Sequence, residues 1–578
     1  MKTLNLHCDY IRWKGLRKAL KNIEDLVPNQ VLEGESKDCL VVLIAVEKGD
    51  SISSLAELID SIKKIAAEVK TKNIVIYPYA HLSSNLGSPT EAIEILNKVA
   101  KSLKGFKVST APFGYYKEFE LKVKGHPLAE LSREFIQKGD EKTRKDLSDA
   151  EVSRLLREIS KAKLDTSKLK ENDHRIIGNK MNLWSFNNVA PGMVFWHPKG
   201  LHIKNKLIEY WREVHRNTGY KEISTPQIMD RKLWEVSGHW KLYEEGMFTT
   251  KYEKRDFAIK PMNCPGGMLV YKTSPRSYKD LPLKVGELGV VHRNELSGTL
   301  GGLFRVIQMT QDDAHIFCTP KQLNNEIVGV LKLFLEMLKQ FGFNKYKFTI
   351  STRSKEKAAK YLGDDKIWKK AEEALAKGLD EVGVKYKKVP GEAKFYGPSL
   401  DVQIEDSLGR EWQCSTLQLD FSLTKRFDVT YTNEKGNPET PLMLHRVVFG
   451  SLERFIGVLT EHLDGKFPLW ISPNQVKVIS LNDGTNDYSK KIHQELFKEG
   501  LEVELDIRNE SMGKKVRDAQ IQRFNYIVTA GEREKSNGKI AVKKRDSKNI
   551  KEMSIINFIK QVKKELIEKK IIFLQKVL

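Results

Sequence analysis

The pattern of apolar and polar residues divides the chain into four regions. In residues 1–140, the runs "CLVVLIAVEKG" (39–49) and "NIVIYPYAHL" (73–82) are apolar and rich in β-branched residues, which is typical of buried strands. The segment between them repeats apolar residues at helical spacing, at Leu55, Ile59, Ile62 and Ile65. This order predicts a strand–helix–strand unit within a compact α/β domain.

A charge-dense stretch follows over residues 141–180. It contains "DEKTRKDLSDAEVSRLLREISKAK", in which Ser148 and Glu151 have the spacing of a helix capping box. The polar composition leaves little apolar surface to bury. We interpret this stretch as a solvated linker helix between two domains.

The largest region covers residues 181–470 and holds eight of the nine tryptophans. Segments such as "LKVGELGVVHRNE", "LFRVIQMTQDDAHIF" and "SLDVQIEDSLGREWQCSTLQLDF" read as successive antiparallel strands with polar turns. Long helical runs, 321–341 and 366–382, lie between them. We therefore predict an α+β domain in which helices pack on an antiparallel sheet.

Residues 471–578 show a β-α-β-α-β-β-α order, which predicts a mostly parallel sheet. The segment "RNESMGKKVRDAQIQR" carries five basic residues that could contact a nucleic-acid backbone. The terminal "IIFLQKVL" is predicted to be a docking segment. The whole chain is thus expected to be a multidomain protein that combines α/β and α+β domains.

Composition and charge limit the classes of function. The chain has no apolar run of about 18 residues, so no membrane span is expected. The five cysteines are odd in number, widely spaced and without a CxxC pair, which favours a reducing cytoplasm over a disulfide framework. The net charge of +22 indicates either a polyanionic partner or simply a solvated basic surface.

The stretch "MTQDDAHIFCT" carries the densest candidate chemistry. Asp312, Asp313, His315 and Cys318 could form a metal site, an acid/base pair, a reactive thiol or a packed core histidine, and the local sequence leaves all four open. Two other motifs suit phosphate: "HRNE" before a glycine-rich turn, and the helix start "FGSLER". A surface salt bridge and an ordinary helix cap explain these two motifs equally well.

Taken together, the motifs carry a family resemblance. They include "PGMVFWHPKG", "GHWKLYEEGMFTT", "KPMNCPGG", "VVHRNELSGTLGGLFRVIQMTQDDAHIFCT", "FYGPSLD", "REWQCSTLQLDF" and "LMLHRVVFGSLERFIGVLTEH". In this order and spacing they resemble the archaeal-type threonyl-tRNA synthetases, which are class II aminoacyl-tRNA synthetases. "VVHRNE…FRV" corresponds to class II motif 2, and the last segment carries the motif 3 arginine. The resemblance covers essentially the full length.

The resemblance implies a zinc site and a threonine pocket in a class II antiparallel-sheet catalytic domain, residues 181–470. Cys264, His315 and His445 would ligate one Zn2+ and leave a coordination position open for the amino group and hydroxyl of threonine. Valine lacks that hydroxyl, so a site of this kind rejects it strongly. The residues expected beside the substrate are Gln311, Asp313, Tyr396 and Gln418.

The resemblance also implies an ATP site that works with Mg2+. Arg293 would bind the α-phosphate, Glu295 would lie near adenine, and Arg305 and Arg454 would hold the outer phosphates, with Arg293 and Arg454 counted as catalytic. Gln413 and Ser451 are further candidates. The threonine carboxylate would attack the α-phosphorus, and the product would be transferred to the tRNA.

One position departs from the family pattern. The family usually reads "FYGPK" where this chain reads "FYGPS", so that Ser399 replaces a lysine of the catalytic pocket. Loss of that cation would weaken the binding of ATP or of the tRNA acceptor end. We expect an active catalytic domain, because the zinc and arginine residues are otherwise complete.

The first region, residues 1–140, resembles the deacylase-like editing domain of these enzymes through "YPYAHLSS", "APFGYYKEF" and "GHPLAELSR". Serine keeps the hydroxyl and loses only a methyl group, a difference worth on the order of 10–200-fold in selectivity, so a second, hydrolytic site is expected. The residues carried over by resemblance are His81, Tyr116, Lys117 and Glu130, with Lys117 the leading candidate.

The last region, residues 471–578, resembles the α/β anticodon-binding domain, in which Arg533, Lys543 and Arg545 are candidate tRNA contacts. The resemblance implies a cytoplasmic homodimer that acts on L-threonine, ATP and tRNA(Thr). Its dimer contact would use residues 190–230, which include Pro226. Two other hypotheses remain: a trans-editing deacylase that keeps the synthetase fold only to bind tRNA, and a non-enzymatic RNA-binding regulator.

Overall fold

A computed structural model describes the chain except residues 21–30, 49, 51–54, 84, 136–148, 161–168, 355–360, 362–363, 395, 407–408 and 570–578. The chain divides into two compact units, residues 1–155 and 156–578. Ser148 of the predicted capping box and the terminal "IIFLQKVL" lie outside the described residues. Within the described residues, no helix is long and apolar enough to cross a membrane.

In its described residues, the first unit contains a six-stranded sheet, with two α-helices between the strands. Its elements are β1 (Lys2–Lys18), β2 (Glu33–Ala45), α1 (Leu55–Glu68), β3 (Asn73–Pro78), α2 (Pro89–Ser102), β4 (Lys107–Thr110), β5 (Tyr115–Val123) and β6 (Glu130–Glu134). The strand order is β4-β3-β2-β1-β5, and β6 also pairs with β1. Strands β2 and β3 are parallel and joined through α1, which confirms the predicted strand–helix–strand unit.

A helix is present within the stretch predicted as a linker, as α3 (Asp149–Ser160). Four of its apolar side chains are exposed, namely Val152, Leu155, Leu156 and Ile159. The prediction of a helix is confirmed, although its solvent-facing surface is more apolar than a solvated linker would suggest.

The second unit begins with short elements around one long helix. They are α4 (His174–Lys180), β7 (Trp184–Ser185), β8 (Phe195–Trp196), α5 (Pro198–Asn217), β9 (Lys221–Glu222), β10 (Ile228–Asp230), α6 (Arg231–Ser237), α7 (His239–Tyr243), β11 (Phe248–Tyr252), β12 (Arg255–Ile259) and α8 (Cys264–Tyr271). Strands β10, β12 and β11 form a small antiparallel sheet.

The central elements of this unit build its main sheet. They are β13 (Leu283–His292), β14 (Gln308–Cys318), α9 (Leu323–Gln340), β15 (Tyr346–Thr352), α10 (Asp365–Val382), β16 (Tyr386–Pro390), β17 (Ser399–Glu405), β18 (Glu411–Asp420), α11 (Leu423–Arg426), β19 (Tyr431–Thr432), β20 (Pro438–Glu439), β21 (Leu442–Val447) and α12 (Leu452–His462). The eight-stranded order is β16-β15-β17-β18-β21-β14-β13-β9.

The predicted antiparallel sheet is confirmed for its six inner strands, from β15 to β13. The two edge strands, β16 and β9, pair in parallel. One face of the sheet is covered by a large apolar core that includes Leu331 and Phe334 of α9 and Trp368 of α10. The opposite face is left available for polar side chains.

The last part of the unit is a second α/β layer. It comprises β22 (Val476–Ser480), α13 (Asn486–Lys498), β23 (Val503–Asp506), α14 (Met512–Ile521), β24 (Tyr526–Ala530), α15 (Glu532–Asn537), β25 (Ile540–Lys544), β26 (Ile550–Met553) and α16 (Ile555–Glu568). Strands β23, β22 and β24 are parallel, as predicted, whereas β25 and β26 add in antiparallel fashion. The short α15 and the polar edge strand β26 were not predicted.

A buried ion pair joins three segments below the candidate site. The ammonium of Lys260 is fully buried and donates to Glu287 Oε1 at 2.8 Å and to Thr225 Oγ1 at 3.0 Å. Glu287 also accepts from the backbone N–H of Thr225 at 2.8 Å. Lys260 follows β12 and Glu287 lies in β13, so the pair fixes the segment that leads into α8.

We expect the variant Lys260→Met to lose about 3–5 kcal/mol of stability, because Glu287 would be left as an uncompensated buried charge. Urea unfolding followed by tryptophan fluorescence measures the loss, since eight tryptophans lie in residues 181–470. The double variant Lys260→Met/Glu287→Gln should recover most of it. A double variant no more stable than the single one would show that charge is not the cause.

Candidate active site

The register of three central strands brings distant residues together. His315 of β14 lies opposite His445 of β21, and His445 lies opposite Gln418 of β18. Cys264 begins α8 and completes a group with the two histidines, in which the potential ligand atoms all lie within 4.8 Å of one another. The sequence separations of 51 and 130 residues are thus bridged by sheet pairing.

The donor set of this group fits a zinc ion. One thiol and two imidazoles are preferred zinc ligands, and three protein ligands leave a fourth position open. His445 Nε2 lies 2.9 Å from Asp420 Oδ2, a carboxylate–histidine pair of the kind that orients a metal-binding ring. Burial lowers the pKa of His315 well below its usual range, and a neutral ring is the form that binds a metal. Burial raises the pKa of Cys264, so a nearby dication would be needed to hold its thiolate.

All thirteen residues that the resemblance assigned to zinc, threonine and ATP line one cavity of about 320 Å³. Beside the metal group, Asp313 Oδ2 accepts from Asn263 Nδ2 at 2.6 Å, and Tyr396 donates its hydroxyl to Gln418 Oε1 at 2.7 Å. Burial raises the pKa of Asp313, and the Asn263 hydrogen bond opposes that rise. These side chains form a small polar compartment at the inner end of the cavity.

Three arginines form the other part of the cavity. Arg293 follows the end of β13 and donates to Pro261 O at 3.2 Å and to Gln311 Oε1 at 3.3 Å. Arg305 pairs with Glu295 at 2.7 Å. Arg454 donates from Nε to the carbonyl of Phe304 at 2.8 Å, and burial lowers its pKa. Guanidinium groups gathered in this way suit a polyphosphate.

Gln413, Ser451 and Ser399 have defined partners in or next to the cavity. Gln413 donates to Asp401 Oδ1 at 2.6 Å, and Ser451 caps α12 by accepting from the N–H of Arg454 at 3.3 Å. Ser399 is only 2% exposed and donates to Asp401 Oδ2 at 3.0 Å. The hydroxyl of Ser399 is therefore turned to a buried carboxylate and supplies no positive charge to the cavity.

Asp312 faces the opposite side of the sheet from Asp313. Its Oδ2 accepts from the N–H groups of Val448 and Phe449 at 2.9 and 3.0 Å, and its Oδ1 accepts from Gly450 at 2.9 Å. Burial raises its pKa to about 7, against the effect of these donors and of Arg446. Asp312 thus fixes the turn between β21 and α12, which presents Ser451 and Arg454 to the cavity.

A second group of potential ligands, Asp173, His174 and Glu461, is fully hydrogen-bonded within the protein. His174 Nδ1 lies 2.6 Å from Glu461 Oε1, and its Nε2 accepts from the N–H of Leu303 at 2.9 Å. Both ring nitrogens are used in this way, so the group holds the glycine-rich loop in place.

The first unit contains a separate cavity of about 500 Å³, lined by His81, Tyr116 and Lys117 among others. Lys117 Nζ donates to Pro112 O at 2.9 Å and to Pro78 O at 3.3 Å and lies 4.9 Å from the ring centre of Tyr77. Burial lowers its pKa to about 8. Glu130, the fourth residue suggested for this site, instead lies exposed on β6 opposite Leu6.

The candidate tRNA contacts differ in their environment. Arg533 is exposed and lies 3.2 Å from Glu552, and Lys543 is half-buried on β25. Arg545 donates to the backbone carbonyls of Arg523, Lys466 and Phe467, and burial lowers its pKa to about 10. Much of its hydrogen-bonding capacity is therefore used within the protein.

Three family models match successive parts of the chain. Residues 1–135 match the family described as the Archaea-specific editing domain of threonyl-tRNA synthetase, residues 248–463 the tRNA synthetase class II core domain (G, H, P, S and T), and residues 475–565 the anticodon binding domain. A solved structure of the RNA binding domain of threonyl-tRNA synthetase from Cryptosporidium parvum is 38% identical, with a TM-score of 0.65. That match covers 68% of this chain and 98% of the solved one. The chain belongs to the threonyl-tRNA synthetase family.

Other relatives match the same portion of the chain. The threonine–tRNA ligase of Carboxydothermus hydrogenoformans is 47% identical over 401 residues, which are 69% of this chain and 62% of that protein. The chain therefore spans about 62% of the length of this relative. ThrRS-1 of Aeropyrum pernix is 27% identical with a TM-score of 0.61, covering 69% of this chain and 97% of that one. Prolyl-tRNA synthetase from Giardia lamblia, 18% identical with a TM-score of 0.54, shares the fold.

Within this threonyl-tRNA synthetase family member, the sequence analysis missed several residues around the cavity. Asn263 holds Asp313, and Asp420 holds His445. Lys394 and Thr416 line the cavity itself. Lys394 and Thr416 each lie two residues from a residue that was identified, Tyr396 and Gln418, and this proximity is the only signal that could have revealed them.

We expect the variant Asp312→Asn to loosen the turn between β21 and α12. An amide offers one acceptor oxygen where the carboxylate offers two, so at least one of three buried N–H groups loses its partner. If the free energy needed to open this turn falls by about 1–3 kcal/mol, local hydrogen exchange speeds up by roughly 5- to 150-fold. Hydrogen-exchange mass spectrometry of the peptide that spans residues 446–452 measures this change.

The matched control is Asp313→Asn, which alters the neighbouring carboxylate on the other face of β14. It should leave exchange in that peptide unchanged. Equal acceleration in both variants would show that Asp312 has no special part in fixing the turn.

Proposed function

We propose that this protein is a threonyl-tRNA synthetase that activates L-threonine with ATP and transfers it to tRNA(Thr). The observation that carries the proposal is the convergence of Cys264, His315 and His445 beside Asp313, in a cavity that also contains the candidate phosphate-binding residues Arg293, Arg305 and Arg454. The name threonine–tRNA ligase of the relatives supports charging rather than hydrolysis alone.

In this proposal the residues of the inner compartment select the amino acid. Asp313 accepts a hydrogen bond from the substrate amino group, and Gln311, Tyr396 and Gln418 surround the side chain. Cys264, His315 and His445 would hold Zn2+, which would supply a Lewis-acidic centre for the amino and hydroxyl groups of threonine. A site built for a hydroxyl rejects valine by on the order of 10⁴-fold.

The arginines position the reacting phosphate. Arg293 binds the α-phosphate, while Arg305 and Arg454 hold the outer phosphates together with Mg2+. The threonine carboxylate oxygen forms a bond to the α-phosphorus, and the bond to the pyrophosphate oxygen breaks in line. The protein contributes mainly positioning and charge neutralisation in a partly buried site. Glu295 orients adenine, and Gln413 and Ser451 complete the cavity wall.

Threonine-dependent exchange between ATP and pyrophosphate tests this function. We expect exchange with threonine, weaker exchange with serine, and none above background with valine. Elemental analysis should find about one zinc per chain. The variant Cys264→Ala should lose the metal, and its exchange rate should fall by more than about 100-fold.

Cys318→Ala is the control, because Cys318 is also buried and lies on β14, three residues from His315. It should keep both the metal and the exchange. Full exchange by metal-free protein would refute the assignment of Cys264, His315 and His445. Absence of threonine-dependent exchange in zinc-loaded protein would refute the synthetase function.

We also propose that the cavity of the first unit hydrolyses seryl-tRNA(Thr). Lys117 is placed by two backbone carbonyls at the wall of that cavity, beside His81 and Tyr116. Glu130 does not line this cavity, so any effect of Glu130 on hydrolysis would have to be transmitted through strand β6. Since the pKa of Lys117 is about 8, its amine is protonated in most molecules at neutral pH and can bind an anionic group of the substrate.

We expect Lys117→Met to lose on the order of 10-fold or more in hydrolysis of preformed seryl-tRNA(Thr), while threonyl-tRNA stays intact. The ratio of the wild-type hydrolysis rate to the variant rate should fall as the pH rises through about 8, because the Lys117 amine of the wild type then loses its charge. Lys122→Met, a change at an exposed lysine of β5, is the control. An advantage that grows with pH would contradict this role.

The partners follow from the same proposal. The protein would bind tRNA(Thr) through residues 471–578, with Arg533, Lys543 and Arg545 as candidate contacts. It would work as a homodimer through residues 190–230, where Pro226 is exposed. A cytoplasmic location is consistent with five free cysteines.

A further inference from the structure

One cation of the active-site cavity has no part in the reaction described above. Lys394 lies in the turn between β16 and β17 and lines the same cavity as Arg293, Arg305 and Arg454. It is exposed. Its side chain therefore adds a positive charge to the wall of a cavity that four arginines also line, namely Arg293, Arg305, Arg446 and Arg454.

Described residues on both sides of Lys394 make backbone contacts. Before it, Gly391 donates to the carbonyl of Thr352 at 2.7 Å, and after it Lys394 pairs with Gly397 in a short antiparallel bridge. Gly397 is packed so closely on β18 that a Cβ would lie 1.9 Å from the carbonyl oxygen of Leu419. The position from which the Lys394 side chain projects is therefore fixed against the neighbouring strand.

Lys394 differs from the arginines in its pairing. Arg305 is neutralised by Glu295, and Arg293 and Arg454 donate to carbonyl or amide oxygens. Among the described residues, no hydrogen bond or ion pair engages the ammonium of Lys394. An unpaired ammonium in a cavity that four guanidinium groups already line is stabilised when an anion enters.

The location of Lys394 indicates which part of a ligand it meets. Tyr396, two residues away, belongs to the inner compartment through its bond to Gln418, and Gln413 and Thr416, which both bond to Asp401, line the same cavity. Two residues of extended chain span at most about 7 Å. The ammonium is thus within reach of the junction between the amino-acid compartment and the arginines.

We propose that Lys394 binds a phosphate oxygen at this junction and so supplies the positive charge that Ser399 does not. Ser399 is buried against Asp401 and gives the cavity no cation. The phosphate belongs either to ATP or to the 3′ end of the tRNA. This inference rests on the proposed synthetase function and adds a residue to its phosphate-binding set.

The test compares Lys394→Ala and Lys394→Arg with the wild-type full chain. Calorimetry measures binding of Mg·ATP, threonine-dependent pyrophosphate exchange gives the KM for ATP, and a single-turnover assay gives transfer to tRNA(Thr). We expect Lys394→Ala to weaken Mg·ATP binding and raise the KM by about 10-fold, as the loss of one charged hydrogen bond predicts. Lys394→Arg should bind Mg·ATP and show a KM for ATP close to those of the wild type.

The matched control is Lys387→Ala, an exposed lysine of β16 outside the cavity wall, which should bind and react normally. Normal ATP binding with slow transfer in Lys394→Ala would assign the phosphate to the tRNA and still support the proposal. Unchanged values in all three assays would overturn it, as would an arginine variant as impaired as the alanine variant.

The calorimetric result keeps the two proposals apart. If the wild-type protein gives no threonine-dependent exchange, the synthetase function fails. Weaker Mg·ATP binding by Lys394→Ala would then still support Lys394 as a phosphate contact, and equal binding would refute it.

Discussion

Alternation of side chains along β14 is the constraint on which the active site depends. Asp313 and His315 point into the cavity, while Asp312 points to the core and accepts three backbone N–H groups from the turn before α12. One short segment therefore lines the amino-acid compartment and holds the arginine-bearing helix in place. A shift of one residue in strand register would exchange these faces and lose both features together.

The positive charge of the cavity carries its own energetic cost. Arg454 is largely buried, and the nearby Arg293 and Arg305 also lower its pKa. Hydrogen bonds to backbone carbonyls hold the guanidinium groups of Arg454 and Arg293 in position but cancel none of their charge. The cavity is thus organised before any ligand arrives, and an entering polyanion relieves repulsion that already exists.

The sequence predicted those parts of the fold that have a local signal. The helix expected at 366–382 is Asp365–Val382, because its apolar spacing is bounded by a cap at Asp364 and by Gly383 in the left-handed conformation. The edge strand Ile550–Met553 was missed since its residues are mostly polar and exposed. The spacing of local motifs could not show that His315 and His445 lie opposite each other on the neighbouring strands β14 and β21, because strand register is a long-range property.

The site shows the same division between local and long-range information. Cys264, His315 and His445 were expected only by resemblance, and their convergence depends on sheet pairing and on the start of α8. The local sequence left the role of Asp312 open, because its backbone partners lie about 136 residues away along the chain. Lys394 lies in a turn without periodicity, so only its position two residues before Tyr396 separated it from other surface lysines.

The buried pair of Lys260 and Glu287 has a consequence for how such a chain can change over evolutionary time. Replacing either residue alone leaves an unpaired charge in the interior. A chain that has changed only one of the two positions is therefore poorly folded. The two positions should therefore vary jointly or not at all among descendants of this chain. Thr225, which bonds to both, ties a third position to that joint history.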